Sequence, residues 1–314
     1  QSFPSEILSV CKMNTEKSPV MIVNGFDRIS AAATLETDAY LGFADFWDEG
    51  VPDKLDLNYI GRQYDFLASS PWIDDDAPGH GSSYGDYETT ILPGNTFDFP
   101  FLHGKAIRAA GYSFVSCSDE AVMDQSIQLA DYEIVDIILG EEKEIPGPKA
   151  SSRREFRAFP KAFQREITAF TQKGGALFIS GAYVGMDLFD NNNDSLDVQF
   201  AEEILKFSFR TDHAVKTGGV ASVDSAFFIS SPSFEFNTDF NSTSYKVESP
   251  DAIEPMGIDA KTILRYSENN TSAAIAAKGG SNIIIFGFPF ESIMAQKSRD
   301  KIMESVLAYL SDSD

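Results

Sequence analysis

The chain has 314 residues, 43% hydrophobic and 12% aromatic, enough to bury a large core in one big domain or a domain with insertions. A formal net charge of -23 repels phosphate backbones and acidic membranes, which argues against nucleic acid as a partner. Cys11 and Cys117 form neither a zinc spacing nor a disulfide framework, and no apolar run approaches the ~20 residues of a membrane-spanning helix, so membrane insertion is not expected.

In chain order, residues 1–18 read as a lead-in and 19–314 as a single α/β domain. Pro19–Val23 is apolar throughout, as in a strand covered on both faces, and ends at Asn24-Gly25-Phe26-Asp27-Arg28. Residues 29–97 lack sustained periodicity and are rich in Gly, Pro, Asp and aromatics. A structureless stretch of that length fits a functional insertion folded over the end of the first strand. Thr96–Ala110 reads as a helix, capped at Asn95 or Thr96 and stopped by Gly111. Tyr112–Ser116 is the second strand, followed by Cys117-Ser118-Asp119-Glu120, and Ala121–Ala130 is helical. Glu133–Leu139 is the third strand, ending at Gly140-Glu141-Glu142, and Ala150–Phe159 is a basic surface segment.

The stretch 159–186 organises the rest. Phe159, Phe163, Ile167 and Phe170 recur at helical spacing, and Lys173-Gly174-Gly175 supplies a cationic last turn and a stop. Ala176–Ile179 is a wholly apolar fourth strand, closed by Ser180-Gly181-Ala182-Tyr183-Val184-Gly185. Val198–Phe207 reads as a helix. Over 208–280 the periods shorten toward two between turn signals, which predicts antiparallel strands added at the sheet edge. Ile283–Phe286 is the last buried strand, leading to Phe288-Pro289-Phe290-Glu291, and Ser298–Ser311 is a closing helix with Ile302, Val306 and Leu310 on one stripe. The expected fold is α/β: a doubly wound, mostly parallel sheet with a large insertion after strand 1 and extra late antiparallel strands.

In such sheets ligands sit beyond the carboxyl ends of the strands. Those ends carry Asn24, Asp27 and Arg28; Ser118, Asp119 and Glu120; Glu141 and Glu142; Ser180 and Tyr183; and Glu291. A neutral or cationic ligand, a sugar or a metal suits this acidic set better than a phosphate. Crowded carboxylates also raise one another's pKa, which makes an acid/base pair available, although several of these residues would serve equally well as helix N-caps. Gly181-Ala182-Tyr183-Val184-Gly185 has the G-x-X-x-G form of a strand-turn-helix elbow, with Tyr183 where a nucleophile would sit. A phenol of pKa near ~10 is a poor nucleophile without a strong base, so Tyr183 fits better as a ligand-orienting or proton-donating group, or as a structural tyrosine.

The segments GGALFISGAYVG and IIIFGFPFE resemble class I glutamine amidotransferases, which carry G-x-C-x-G after this strand and a His-x-Glu pair after the last. The resemblance implies a flavodoxin-like, amidotransferase-like core. Tyr183 stands at its cysteine, Pro289 or a neighbour at its histidine, and Glu291 matches its acid, so the chain departs from the pattern at both essential positions. A second resemblance spans nearly the whole chain. MIVNGFDRIS, PWIDDDAPGHGSSYGDYE, AAGYSFVSCSDEAV, DYEIVDIILGEEK and FGFPFESI are similar to secreted bacterial domains commonly labelled xanthan lyase or N-acetylmuramoyl-L-alanine amidase. It implies export to the periplasm, the cell surface or beyond, and a glycan context.

Within the insertion, His80 lies between glycines close to Asp74, Asp75 and Asp76. It is a candidate general base oriented by a carboxylate. Alternatively Asp74 and Asp76 supply oxygen ligands to a divalent cation, or the segment is a polar turn. His103 reads as a half-buried packing histidine and Cys117 as a structural cysteine. Two functions follow. One is a hydrolase-type domain acting on peptidoglycan or polysaccharide, with His80 and Asp119 or Glu141 as acid/base groups and Tyr183 orienting substrate. The other is a catalytically inert glycan-binding or scaffolding module on an ancestral enzyme fold.

Overall fold

A computed structural model describes residues 7–26, 34–37, 40–43, 71, 98–143, 157–189, 194–223, 227–228, 233–239 and 244–312. The elements run β1 (Val20–Asn24), β2 (Thr34–Thr37), β3 (Tyr40–Phe43), α1 (Phe99–Ala109), β4 (Phe114–Ser118), α2 (Asp119–Met123), β5 (Ile134–Gly140), α3 (Lys161–Gln172), β6 (Ala176–Gly181), α4 (Met186–Phe189) and α5 (Ser195–Gln199). A π-helical turn at Phe200–Ile204 follows, then β7 (Phe207–Thr211), β8 (Gly219–Ser222), β9 (Ser233–Glu235), β10 (Ala252–Pro255), β11 (Ala260–Tyr266), β12 (Ser272–Ala277), β13 (Ile283–Phe286) and α6 (Gln296–Leu310).

Nine strands form one sheet in the order β4-β1-β5-β6-β13-β12-β11-β8-β9. The first five are mutually parallel, and each later neighbour is antiparallel, so the late strands extend one edge. Separate two-stranded ladders pair β10 with β7 and β2 with β3. At the opposite edge the lead-in covers β4: Cys11 and Phe114 exchange both backbone hydrogen bonds at 2.9 Å, which occupies groups an open edge would leave unpaired.

Strand alternation sorts the core into two layers. Val20, Ile22, Ile134, Ile138, Phe178, Ile284 and Phe286 face α1 and α6. Met21, Val23, Val135, Ile137, Leu177, Ile179 and Ile285 face the other way, against Val122 of α2 and Phe163, Ile167 and Phe170 of α3. Helices thus cover both faces, which is why the parallel strands read as unbroken apolar runs.

Two expected helices are shorter than their sequence periods suggest. The segment 121–130 ends its α-helix at Met123, because Gln125 takes a left-handed φ of 64° and Asp124 turns its carboxylate onto the Ser126 N–H at 2.8 Å. The segment 198–207 divides into α5, the π turn and the start of β7. Lys206, at φ 65°, breaks the helical path there.

Helix α1 lies close against β4 at Gly104, where an added Cβ would fall 2.2 Å from the buried Phe114 ring. Alanine is the better helix former by about 1 kcal/mol, whereas overpacking a fixed ring costs about 1–3 kcal/mol. Gly104→Ala is therefore expected to lower the urea midpoint at unchanged slope. A raised midpoint would mean that α1 can lift off the sheet freely.

Candidate functional site

The ends of the five parallel strands are level. Register places Ser118, Asn24, Ile138, Ser180 and Phe286 in one row across β4, β1, β5, β6 and β13. Ligands of open α/β sheets enter where neighbouring connections diverge, here between the ends of β1 and β5. That position is packed with the chain's own aromatic rings. Phe26, two residues past β1, stacks on Phe99 of α1 at 5.1 Å between centroids, and both meet Tyr245 edge-on at 5.5 and 5.7 Å. Phe26 fits because Gly140 lies beneath it: an added Cβ there would approach the ring to 2.2 Å, and the residue holds φ +48°. Asn24, Asp119, Glu141, Glu142, Ser180, Tyr183 and Glu291 are all buried, whereas Ser118 is half-buried and Glu120 exposed.

The elbow is also occupied. Tyr183 is 2% exposed, with the Lys143 ammonium 5.4 Å from its ring centroid. The turn amides of Gly185 and Met186, which an elbow would offer to an anion, donate to Asp251 Oδ2 at 2.6 and 2.9 Å. Burial pushes the Asp251 carboxyl well above the ordinary range, against the two N–H bonds, and the Asp212 and Asp187 charges add to the rise. Gly185 leaves no room for a side chain, since a Cβ would sit 2.5 Å from Phe209.

A buried ionisable chain lies under the sheet on the α1 face. His103 Nδ1 is 2.8 Å from Asp136 Oδ2 on β5, and its Nε2 is 3.2 Å from Glu291 Oε2 beyond β13. Tyr245 donates its hydroxyl to Glu291 Oε1 at 2.6 Å. Burial opposes charge on the imidazole. The field and hydrogen bond of Asp136, then those of Glu291, outweigh it and raise the pKa from 6.5 to about 9. A neutral ring has one N–H and would turn a lone pair toward one carboxylate, whereas imidazolium donates to both. Burial, with the Glu291 and Glu141 charges, drives the Tyr245 phenol well above 10, so it remains a donor. Such a His103 has both nitrogens engaged and holds structure; it has none left to accept a substrate proton.

The structure therefore links Glu291 to Tyr245 and sets Glu141 within electrostatic reach of the same phenol. Asp27, Arg28, Asp74, Asp76 and His80 lie outside the described residues. Among the described residues no group of three or more His, Cys, Asp and Glu is arranged to hold a metal. Cys117 is buried with its Sγ 3.6 Å from the Met21 sulfur, as a structural cysteine. His103, expected to be half-buried packing, is fully buried and doubly ion-paired. The available signal was Asp136, a carboxylate inside the apolar run EIVDIIL, which a core tolerates only with a partner.

No family model matches the chain, and no curated protein matches it. Among solved structures it is similar to a β-galactosidase from Rahnella sp. R3, at 12% identity and TM-score 0.43 over 68% of this chain and 27% of that one. It is similar to the exo-β-1,4-mannosidase Op5Man5 from Opitutaceae bacterium strain TAV5, at 13% and 0.43 over 68% of this chain and 31% of that one. It is also similar to a putative GMP synthase protein from Thermoplasma acidophilum, at 8% and 0.40 over 66% of this chain and 87% of that one. The chain spans under a third of the length of the two glycosidases. Overlaps of this size assign no family and no activity.

Because the folded pKa of His103 lies above its unfolded 6.5, its stabilisation is complete below pH 6.5 and is lost as pH rises through about 9. The loss is expected to total about 3 kcal/mol. His103→Leu would remove that alkaline dependence while costing about 3–5 kcal/mol at neutral pH, by stranding two buried carboxylates. Urea unfolding across this pH range measures both. An alkaline loss of equal size in the variant would assign it to other groups.

Proposed function

We propose that this chain is an exported glycan-binding module on a flavodoxin-like, amidotransferase-like core whose nucleophile position has been given over to packing. The observation that carries this reading is Tyr183: it stands at the elbow, 2% exposed, with the adjoining turn amides already bonded to Asp251. Chemistry of the amidotransferase kind needs a reachable nucleophile, a base and free oxyanion donors. At this elbow the nucleophile position holds a buried tyrosine, and the Gly185 and Met186 amides are taken by Asp251. The parallel strands run 2-1-3-4-5 when numbered among themselves, the flavodoxin-like order, which supports the core assignment. The glycan, from peptidoglycan or another polysaccharide, and the exported location rest on the resemblance of MIVNGFDRIS, DYEIVDIILGEEK and FGFPFESI to secreted bacterial domains.

One observation favours the hydrolase alternative: Glu141 and Glu291 both act on the Tyr245 phenol, so two strand-end carboxylates do converge. In that reading His80 with Asp119 or Glu141 would do the acid/base work and Tyr183 would orient substrate.

Incubation with insoluble peptidoglycan and with polysaccharides separates the two. The binding reading predicts that the protein is retained on at least one polymer with no release of amines or reducing ends, and that Tyr183→Phe is retained equally. Turnover by the wild-type chain that falls at least 100-fold in His80→Ala or Glu141→Gln would establish the hydrolase instead.

A further inference from the structure

A groove of about 520 Å³ lies on the opposite side of the sheet from α1, between α3 and the α5–π-turn segment. Its volume falls in the range of about 300–1,000 Å³ typical of small-ligand sites. The floor is apolar: Leu196, 60% exposed, with Phe200 and Ile204 at the two ends of the π turn. Single π turns inside helical segments are frequent at functional sites. Along the rim stand the amides of Gln172 and Gln199, the guanidinium of Arg165 and the carboxylate of Glu203, which accepts from Gln199 Nε2 at 3.0 Å.

The walls are fixed. Asp197 of α5 receives Arg157 Nη2 at 2.7 Å, Lys161 Nζ at 2.7 Å and Gln164 Nε2 at 2.6 Å, which ties α5 to α3 and the residues before it. Lys161 also meets Asp194 at 2.8 Å, so its charge is spent. Arg165 is exposed and has no ion-pair partner among the described residues.

We infer that this groove binds one unit of an acidic saccharide, with its carboxylate on Arg165. An apolar floor suits the C–H face of a sugar ring. Side-chain amides offer a donor and an acceptor each, which matches adjacent hydroxyls. A guanidinium takes a carboxylate through two parallel bonds, and Arg165 is paired with no carboxylate among the described residues, Glu203 being bonded to Gln199. This inference rests on the glycan-binding reading and names its site and its ligand class.

The test is titration of the intact chain with an oligomer of uronic acids, with its methyl ester and with a neutral hexose oligomer. The wild-type chain is expected to bind the acid form about fivefold or more tightly than the ester, as a charge-assisted bond on a half-open surface allows. Arg165→Gln should erase that preference, and Leu196→Asn should weaken both forms. Equal binding of acid and ester, or an unchanged preference in Arg165→Gln, would overturn the assignment while leaving glycan binding in place. Absence of binding to any of the three oligomers, together with no retention on any polymer, would remove the glycan reading itself.

Discussion

An imidazolium between two carboxylates holds this structure in its observed form. His103 comes from α1, Asp136 from the central strand β5, and Glu291 from the turn after the last parallel strand. Each group alone would be costly to bury; together the imidazolium offsets one of the two negative charges and donates to both carboxylates, while Asp136 Oδ1 has no hydrogen-bond partner among the described residues. Removing one member of such a buried set costs about 3–5 kcal/mol, a large part of the about 5–15 kcal/mol that keeps a domain folded. The arrangement also sets geometry. Glu291 holds the Tyr245 hydroxyl, and the Tyr245 ring completes the aromatic cluster with Phe26 and Phe99 over the strand ends. Thus an electrostatic clamp under the sheet keeps a hydrophobic plug above it in place.

The plug changes how the fold can be used. The divergence point between β1 and β5 is where an open α/β sheet ordinarily admits a ligand. Here Gly140 lets Phe26 lie down on the strand end, and Asp251 takes the turn amides beside Tyr183. Burial of apolar rings stabilises the closed arrangement by roughly 25 cal/mol per Å² of surface removed from water. Opening it would expose that surface and strand the acids beneath.

Much of the architecture was legible in local pattern. Phe159, Phe163, Ile167 and Phe170 announce a helix by their period; all four are buried, the last three on α3 and Phe159 just ahead of its Pro160 cap. Ala176–Ile179 and Ile283–Phe286 announce covered strands, and both lie in the parallel half of the sheet. The late antiparallel strands were visible from the change of period. What local pattern cannot carry is pairing at a distance. His103 and Asp136 are 33 residues apart, and His103 and Glu291 are 188 apart. Nothing near Tyr245 marks it as Glu291's partner. For the same reason the strand ends read as an acidic mouth: Asn24, Glu141, Ser180 and Glu291 are polar one by one, and only the fold brings Phe26, Phe99 and Tyr245 over them.

The account turns on the charge of one buried ring. The chain has three histidines, so heteronuclear NMR of the imidazole nitrogens and Cε1 carbons across pH can follow each separately. The clamp requires the His103 signals to stay those of an imidazolium, protonated on both nitrogens, through pH 8 and to move only near about 9. A His103 resonance that titrates at the ordinary value near 6.5, or shows one bare nitrogen at neutral pH, would contradict it.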